Sequence, residues 1–295
     1  MAISTVQLTL NGQTYNLTYD SASGKYKASL SAPAATSWNA ESDHKYHGSV
    51  VATDAAGNAT TATVSDFASL GLRVLEKIAP SISVTYPSAN AYIINPTPTI
   101  QWTVSDAESG VDSSTIGVKI DSGSVITSGI TKTAISGGYS CEYTPGSALS
   151  EGAHTLTFSA ADNDGNSASA VSVNFTIDTV PPVLNITSPA DNSITNQTVC
   201  TVAGSTNDTT SGAVVITVNG SPVTVENGEF STTVNLTEGS NTITIAATDT
   251  AGKVTTITRT VTLDTIAPVI SAITITPNPV DAGATYIIEV TVTDA

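Results

Sequence analysis

Several residue types are scarce in this 295-residue chain, and each scarcity excludes a class of protein. Nine basic against 25 acidic residues give a formal net charge of −16, which would repel nucleic acid and anionic membrane surfaces. No apolar run approaches the roughly 20 residues of a membrane-spanning helix, so we expect no membrane insertion. The start, MAISTVQLTL, lacks a signal-peptide pattern. We expect that a signal was removed or that the protein leaves the cell by lysis.

Cysteine is scarce as well, with Cys141 and Cys200 as the only two. They fall in different repeats, so we expect no disulfide within a domain. Two small buried apolar side chains are the favoured interpretation, and a metal or redox site is the alternative.

The abundant residues are Thr, Ser, Val and Ile, which favour pleated strands over helices. The chain is long enough for two or three domains of about 100 residues each. Composition therefore predicts an all-β protein.

A strand-turn-strand pattern recurs three times, and each copy runs from alternating apolar residues into an Asp and a Gly-containing turn. The copies are SVVATDAAGNATTATV (49–64), FSAADNDGNSASAVSVNF (158–175) and ITIAATDTAGKVTTITRTV (243–261). Each is followed by a proline-bearing junction, and proline stiffens a linker. The junctions predict boundaries that give segments 1–76, 77–178, 179–264 and 265–295, joined as a rod.

The third repeat, PPVLNITSPADNSITN with VTVNGSPVTV and LTEGSNTITIAATDTAGKVTT, resembles the immunoglobulin-like (Ig-like) modules of secreted glycan hydrolases and bacterial adhesins. The whole chain, with ATDAAGN, ADNDGN and PVDAGATYIIEVTVTDA, resembles Ig-like repeat proteins of prophage tail regions in Gram-positive bacteria. The resemblance implies tandem Ig-like β-sandwiches and carries no catalytic residues. We therefore expect a protein that is not an enzyme.

The two ends of the chain look like complementary halves of one Ig-like domain. Residues 1–76 supply C-to-G-like strands, and residues 265–295 supply an A strand and a B strand. If the C-terminus of one copy met the N-terminus of another, Asp294 would stand twelve positions before Asn11, whereas Asp208 precedes Asn219 by eleven.

This complementarity predicts head-to-tail self-assembly, in which the C-terminal strands of one copy complete the N-terminal domain of the next as a filament or ring. Core-face residues of the two halves would carry the contact: Val6, Leu8, Leu10, Ile288, Val290 and Val292. The alternatives are a small N-terminal domain that is stable alone, a disordered C-terminal tail, or completion by another protein.

Candidate metal ligands are few. His44 and His47 would point to opposite faces of a strand, which is poor geometry for chelation. Acidic residues at or near the junctions are calcium candidates: Asp162, Asp164, Asp178 and Asp264. Each junction offers only one or two nearby carboxylates, so turn hydrogen bonds are favoured over calcium, and we expect no other cofactor.

The aromatic residues Tyr15, Tyr19, Tyr26, Trp38 and Tyr46 cluster in the first repeat. A core or interface role is favoured for them over a glycan-stacking platform. The resulting hypothesis is a structural subunit of a phage virion or a bacterial surface, with itself and other virion or surface proteins as partners. The alternative is an adhesin or glycan-binding module that contacts a surface glycan.

Overall fold

The structure is a computed structural model that describes residues 2–294, and it confirms the prediction of an all-β tandem of Ig-like sandwiches. The chain forms two compact units, divided between Ile177 and Asp178. A short 3₁₀ helix spans Ala68–Leu70. Within the described residues, no helix is both long and apolar enough to cross a membrane.

The first unit contains fifteen strands. They are β1 (Ile3–Leu10), β2 (Gln13–Asn16), β3 (Thr18–Asp20), β4 (Lys25–Lys27), β5 (Tyr46–Asp54), β6 (Ala59–Thr63), β7 (Gly71–Leu72), β8 (Ser81–Tyr86), β9 (Ala91–Ile93), β10 (Ile100–Ser105), β11 (Val111–Ile120), β12 (Thr131–Ile135), β13 (Gly138–Tyr143), β14 (Gly152–Asp162) and β15 (Val171–Ile177).

Strands β1 to β7 build one sheet and one separate hairpin. The sheet has the order β2-β1-β5-β6, with β7 also paired to β5, and we call it the first sheet. Asn11 and Gly12 connect β1 to β2 with positive φ angles of 47° and 71°, as a two-residue hairpin turn requires. The separate hairpin pairs β3 with β4.

Strands β8 to β15 form a closed two-sheet sandwich, which we call the middle sandwich. One sheet has the order β12-β13-β10-β8, and the other has the order β11-β14-β15-β9 with β9 parallel to β15. Alternate residues of β10 face the core, so that Ile100, Trp102 and Val104 are fully buried. The Trp102 ring packs 5.1 Å from the ring of Phe158 in the opposite sheet.

The second unit contains eleven strands. They are β16 (Val183–Ser188), β17 (Ser193–Thr195), β18 (Val199–Asn207), β19 (Val214–Val218), β20 (Ser221–Val223), β21 (Val225–Glu226), β22 (Glu229–Asn235), β23 (Gly239–Asp249), β24 (Val254–Leu263), β25 (Val269–Thr276) and β26 (Ile287–Thr293).

Strands β16 to β24 form a second closed sandwich, the unit-two sandwich. Its sheets have the orders β16-β18-β22-β21 and β17-β24-β23-β19-β20. Its core is built as in the middle sandwich, from alternate residues of a strand. Ile243, Ile245 and Ala247 of β23 face inward and are buried. Among the described residues, strands β25 and β26 pair only with each other, and we call them the C-terminal hairpin.

Candidate functional site

The inward rows of two strands in each closed sandwich end in an aspartate. In β14 the buried row ends at Ala160 and then Asp162, and in β23 it ends at Ala247 and then Asp249. Two residues beyond Val104 of β10 comes Asp106, and Asp208 likewise follows the inward row of β18. Because side chains alternate across a strand, this spacing directs the carboxylates toward the same interior as the core.

In the first unit, three buried carboxylates converge at this end of the middle sandwich. Oxygens of Glu76, Asp106 and Asp162 all lie within 4.8 Å of one another, and we call them the unit-one cluster. Glu76 reaches the group from the segment before β8. The exposed fractions are only 7% for Glu76, 6% for Asp106 and 2% for Asp162.

Each aspartate of the unit-one cluster organises its own turn through Oδ1, and Asp162 Oδ2 also accepts from Asn166 Nδ2 at 2.7 Å. Oδ1 of Asp106 accepts hydrogen bonds from the backbone N–H groups of Glu108 and Gly110 at 3.0 and 2.8 Å. Oδ1 of Asp162 accepts from Asp164 and Asn166 at 2.9 and 2.8 Å. Turn chemistry and a cluster of carboxylates therefore coexist at the same residues.

Glu76 has one oxygen bonded and one buried without a protein donor. Its Oε1 accepts from the backbone N–H of Ser109 at 2.6 Å, whereas its Oε2 has no hydrogen-bond partner. The Ser109 hydroxyl is also buried without a partner. Burial raises the pKa of Glu76, and the negative charges of Asp106 and Glu108 add to the rise against opposing hydrogen bonds from Ser109.

In the second unit, Asp178, Asp208 and Asp249 form an equivalent group, the unit-two cluster, with oxygens within 4.8 Å of one another. All three are buried. Asp208 Oδ1 accepts from the backbone N–H groups of Thr210 and Ser211 at 2.9 and 2.6 Å. These bonds lower the pKa of Asp208, although its burial acts in the opposite direction. Asp249 Oδ2 is buried without a partner.

The chemistry of both clusters fits a hard divalent cation. Each gathers three carboxylates and no histidine or cysteine, and calcium prefers carboxylate and carbonyl oxygens. Glu76, Asp106 and Asp162 form no salt bridge with any described residue, and neither do Asp208 and Asp249. Buried carboxylates this close repel one another unless a proton or a cation compensates their charge.

Of the four calcium candidates predicted from the sequence, Asp162 and Asp178 lie in the clusters, and Asp164 and Asp264 do not. Asp164 is committed elsewhere, because its carboxylate accepts from Arg73 Nη2 at 2.6 Å and Thr36 Oγ1 at 2.5 Å. Asp264 Oδ1 accepts from the backbone N–H of Ile266 at 3.1 Å. The expectation of only one or two carboxylates per junction is wrong, since each cluster holds three.

The C-terminal hairpin carries an exposed apolar face. Ile288, Val290 and Val292 of β26 pair directly with three isoleucines of β25. All six side chains share one face, and between 44% and 61% of each is exposed: Ile270, Ile273, Ile275, Ile288, Val290 and Val292. This is the inward row of a sandwich strand with nothing packed on it among the described residues.

The core face of the first sheet is also incompletely covered. Val6 is buried, whereas Leu8 and Leu10 are half-buried. The same sequence pattern in the unit-two sandwich, with Ile216 and Val218 in β19, is fully buried. Val50 and Ala52 of β5 are likewise half-buried, while Ile245 and Ala247 at the matching places of β23 are 0% exposed.

Most aromatic side chains of residues 15–46 contact other groups of the same chain. The Trp38 ring stacks on His44 with 3.8 Å between ring centroids, and the Arg73 guanidinium lies 5.0 Å from the Trp38 ring. Tyr46 donates its hydroxyl to the Thr36 carbonyl at 3.1 Å. Tyr19 and Tyr26 lie 5.2 Å apart with tilted rings across the β3–β4 hairpin. Because the two rings are not coplanar, this pair does not form a flat platform on which a sugar could stack.

Two family models match parts of the chain. Residues 86–179 match a bacterial Ig-like domain, and residues 182–265 match glucodextranase, domain B. Each match coincides with one closed sandwich. The chain is therefore a protein of tandem Ig-like domains. No curated protein is significantly similar in sequence.

Solved structures with similar folds include tandem modules from several sources. Fibronectin(III)-like modules of Clostridium thermocellum CbhA are 16% identical over 62% of this chain and 94% of theirs, with a TM-score of 0.40. The titin I-band fragment I67–I69 is 14% identical over 89% and 88%, also with a TM-score of 0.40. Immunoglobulin domains 1–5 of Sidekick-1 are 12% identical over 99% and 60%, with a TM-score of 0.39.

Proposed function

We propose that the chain is a non-enzymatic structural subunit that assembles head to tail. The C-terminal hairpin of one copy adds to the first sheet and the β3–β4 hairpin of the next copy and completes an Ig-like sandwich. The observation that carries the proposal is the exposed row of six Ile and Val side chains on the C-terminal hairpin.

The C-terminal hairpin and the first sheet are complementary parts of one sandwich, which supports a second copy of this chain as the partner rather than an unrelated protein. In the unit-two sandwich, β16 and β18 pair antiparallel and pack their apolar row over β19 and β23. The C-terminal hairpin has the same antiparallel pairing, and its first strand also has a register shift, between Ile270 and Ala272, where β16 has one between Ile186 and Ser188. The first sheet contains the counterparts of β19 and β23, namely β1 and β5. A second copy thus supplies the missing cover in a geometry that the chain already uses.

Burial gives the driving force for this association. Covering an exposed Ile or Val side chain contributes about 1.5–3 kcal/mol before the cost of association is subtracted. Six such side chains on one face, facing the half-buried Leu8, Leu10 and Val50, are enough to make a specific contact. A heterologous contact of this kind repeats from copy to copy and produces a ring or an open filament.

We also propose that the two clusters bind calcium and stabilise the closed sandwiches. The buried, partnerless oxygens of Glu76 and Asp249 support cation binding rather than a purely hydrogen-bonded role. The setting that we propose is a phage virion, in its tail, or a bacterial cell surface. The resemblance of the repeated hairpins to those protein families supports this setting.

Light scattering and negative-stain imaging of the full-length chain test the assembly. We expect polymers for the natural protein and only single copies for Val290→Asp, because a buried carboxylate on the donated face would lack compensation. The matched control is Thr291→Asp, on the opposite face of the same strand, which should still polymerise.

A second pair of variants tests the first sheet, to which the hairpin of another copy would add. Leu8→Asp should stop polymerisation, whereas Thr5→Asp, on the outer face of β1, should not. Single copies for the natural protein at all concentrations would overturn the proposal. An adhesin role would then be tested by binding of the natural chain to cell-wall glycans, with Tyr19→Ala as the variant.

A further inference from the structure

The two clusters use carboxylates at three recurring positions in the chain. A third set of carboxylates occupies the same three positions. Asp178 stands five residues before Val183, the first residue of β16, and Glu76 stands five residues before Ser81, the first residue of β8. Asp264 stands five residues before Val269, the first residue of β25. Asp264 thus matches Asp178 and Glu76 in position.

The second carboxylate of each cluster is fixed by strand register. Ser105 pairs with Ser81 at the start of β8, and Asp106 follows it directly. Asn207 pairs with Val183 at the start of β16, and Asp208 follows it. In the C-terminal hairpin, Thr293 pairs with Val269, the first residue of β25, and Asp294 follows. Asp294 is therefore the counterpart of Asp106 and Asp208.

The third carboxylate of each cluster opens the turn after a central strand. Asp162 and Asp249 each accept a hydrogen bond on Oδ1 from the backbone N–H four residues later, at 2.8 Å in both cases. Asp54 makes the same turn at the end of β5, where its Oδ1 accepts from Asn58 at 2.9 Å. Asp54 is the first-sheet counterpart, and it is half-buried rather than buried.

We infer that Asp264 and Asp294 of one copy join Asp54 of the next copy in a divalent-cation site that forms only on assembly. The inference rests on the proposed strand donation. The closed clusters supply the reason to expect a cation at this place, because each of them buries a carboxylate oxygen that has no hydrogen-bond partner among the described residues, on Glu76 and on Asp249. A hard, oxygen-preferring ion such as calcium fits the three carboxylates.

The consequence is that the cation would control assembly itself. Before assembly, Asp54 lies in one part of the chain and Asp264 and Asp294 in another, each with its own turn or solvent contacts. Docking the hairpin would bring three negative charges together, and like charges at this distance oppose docking. A bound cation would reverse that effect. Assembly should therefore require the cation.

The test measures calcium binding by titration calorimetry and polymer mass by light scattering, with calcium or with EDTA. We expect the natural chain to polymerise with calcium, to dissociate with EDTA, and to bind one more ion per chain than Asp54→Asn. The Asp54→Asn variant keeps the Oδ1 acceptor of the turn, so the first sheet should remain folded. Asp264→Asn and Asp294→Asn should show the same loss of one ion, and the control Asp281→Asn should not.

The outcomes separate this inference from the proposal on which it rests. If the natural chain polymerises equally in calcium and EDTA, and Asp54→Asn binds as many ions, the intermolecular site is wrong and strand donation stands. If the natural chain stays a single copy with calcium present, both are wrong. If Asp54→Asn binds one ion fewer and calcium no longer promotes its polymerisation, while the natural chain polymerises with calcium, both are supported.

Discussion

Strands β10 and β26 have almost the same alternation of apolar residues, but the apolar row is buried in β10 and exposed in β26. Ile100, Trp102 and Val104 of β10 are 0% exposed, whereas about half of each of Ile288, Val290 and Val292 of β26 is exposed. Both strands pair with a preceding antiparallel strand, so local hairpin formation is equal. The difference lies in the second sheet, which covers β10 and has no counterpart over β26 among the described residues. Hairpin formation and core formation are therefore separable in this chain.

The largest expected effect comes from removing a side chain at matched places in the two strands. Trp102→Ala should lower the free energy of unfolding of the first unit by about 3–5 kcal/mol, because it leaves a cavity in a closed core. Val290→Ala in dilute, unassembled protein should change it by less than about 0.5 kcal/mol, because that side chain is exposed. Urea unfolding of the full chain measures both. Equal effects would mean that β26 is covered in solution.

The second expected effect concerns the aspartates that follow the two strands. With calcium at a hundred times its dissociation constant, the natural protein should gain about 2.7 kcal/mol per site. Asp106→Asn should abolish the gain in the first unit and keep its turn, since Oδ1 remains as acceptor. Asp294→Asn should leave the unfolding of single copies unchanged. Thermal unfolding with calcium and with EDTA gives the comparison.

A smaller effect should appear in the backbone amides. The amides of β10 should exchange slowly with solvent in every state, since β10 is hydrogen-bonded on both edges, to β8 and β13. The amides of β26 that do not face β25 should exchange fast in single copies and slowly in polymers. Hydrogen exchange measured by mass spectrometry tests this. Unchanged exchange in polymers would place the contact elsewhere on the chain.

The smallest effect is a pH dependence of the closed middle sandwich that His154 produces. Burial disfavours the charged form of His154, but hydrogen bonds to the Ser150 carbonyl and Asp121 Oδ2, both at 2.8 Å, raise its pKa above the ordinary value. Its contribution to stability is complete at low pH and is lost as the pH rises through the raised value. The thermal midpoint of the first unit should therefore fall between about pH 6 and pH 8.

The control for that prediction is His154→Gln, which should remove this fall and leave other transitions in place. The partner Asp121 has a lowered pKa, so its contribution is present above the ordinary carboxylate value and is lost only in acid. A midpoint that changes equally with pH in both proteins would show that His154 does not titrate in this range.

Local sequence was enough to predict the parts of the fold that depend on neighbouring residues. The alternation in residues 49–64, 158–175 and 243–261 predicted strands, each pair joined by a Gly-containing turn. The alternation of Ile288, Val290 and Val292 predicted one shared face, which the strand pairing confirms. Which protein surface covers that face is a tertiary question that alternation does not answer.

The clusters were only half predictable, because their members are far apart in sequence. Glu76, Asp106 and Asp162 meet only because the two sheets that carry β10 and β14 pack face to face. Asp164, two residues after Asp162 in the chain, instead binds Arg73. A usable signal was present for Asp106, Asp162 and Asp249, each of which stands two residues beyond the last apolar residue of an inward row. Proximity to a junction selected Asp162 and Asp178, which lie in the clusters, but also Asp164 and Asp264, which do not.

The parallel pairing of β9 with β15 bears on how this protein responds to pulling. Ala91, Tyr92 and Ile93 are aligned with Phe175, Thr176 and Ile177 in the same direction along the chain. Tension applied to the chain on either side of the middle sandwich draws these two strands past each other, so their hydrogen bonds are loaded together in shear rather than opened in turn. The pair β17–β24 repeats the arrangement in the second unit. Each closed sandwich is thus built to resist extension through the pairing of its second and last strands.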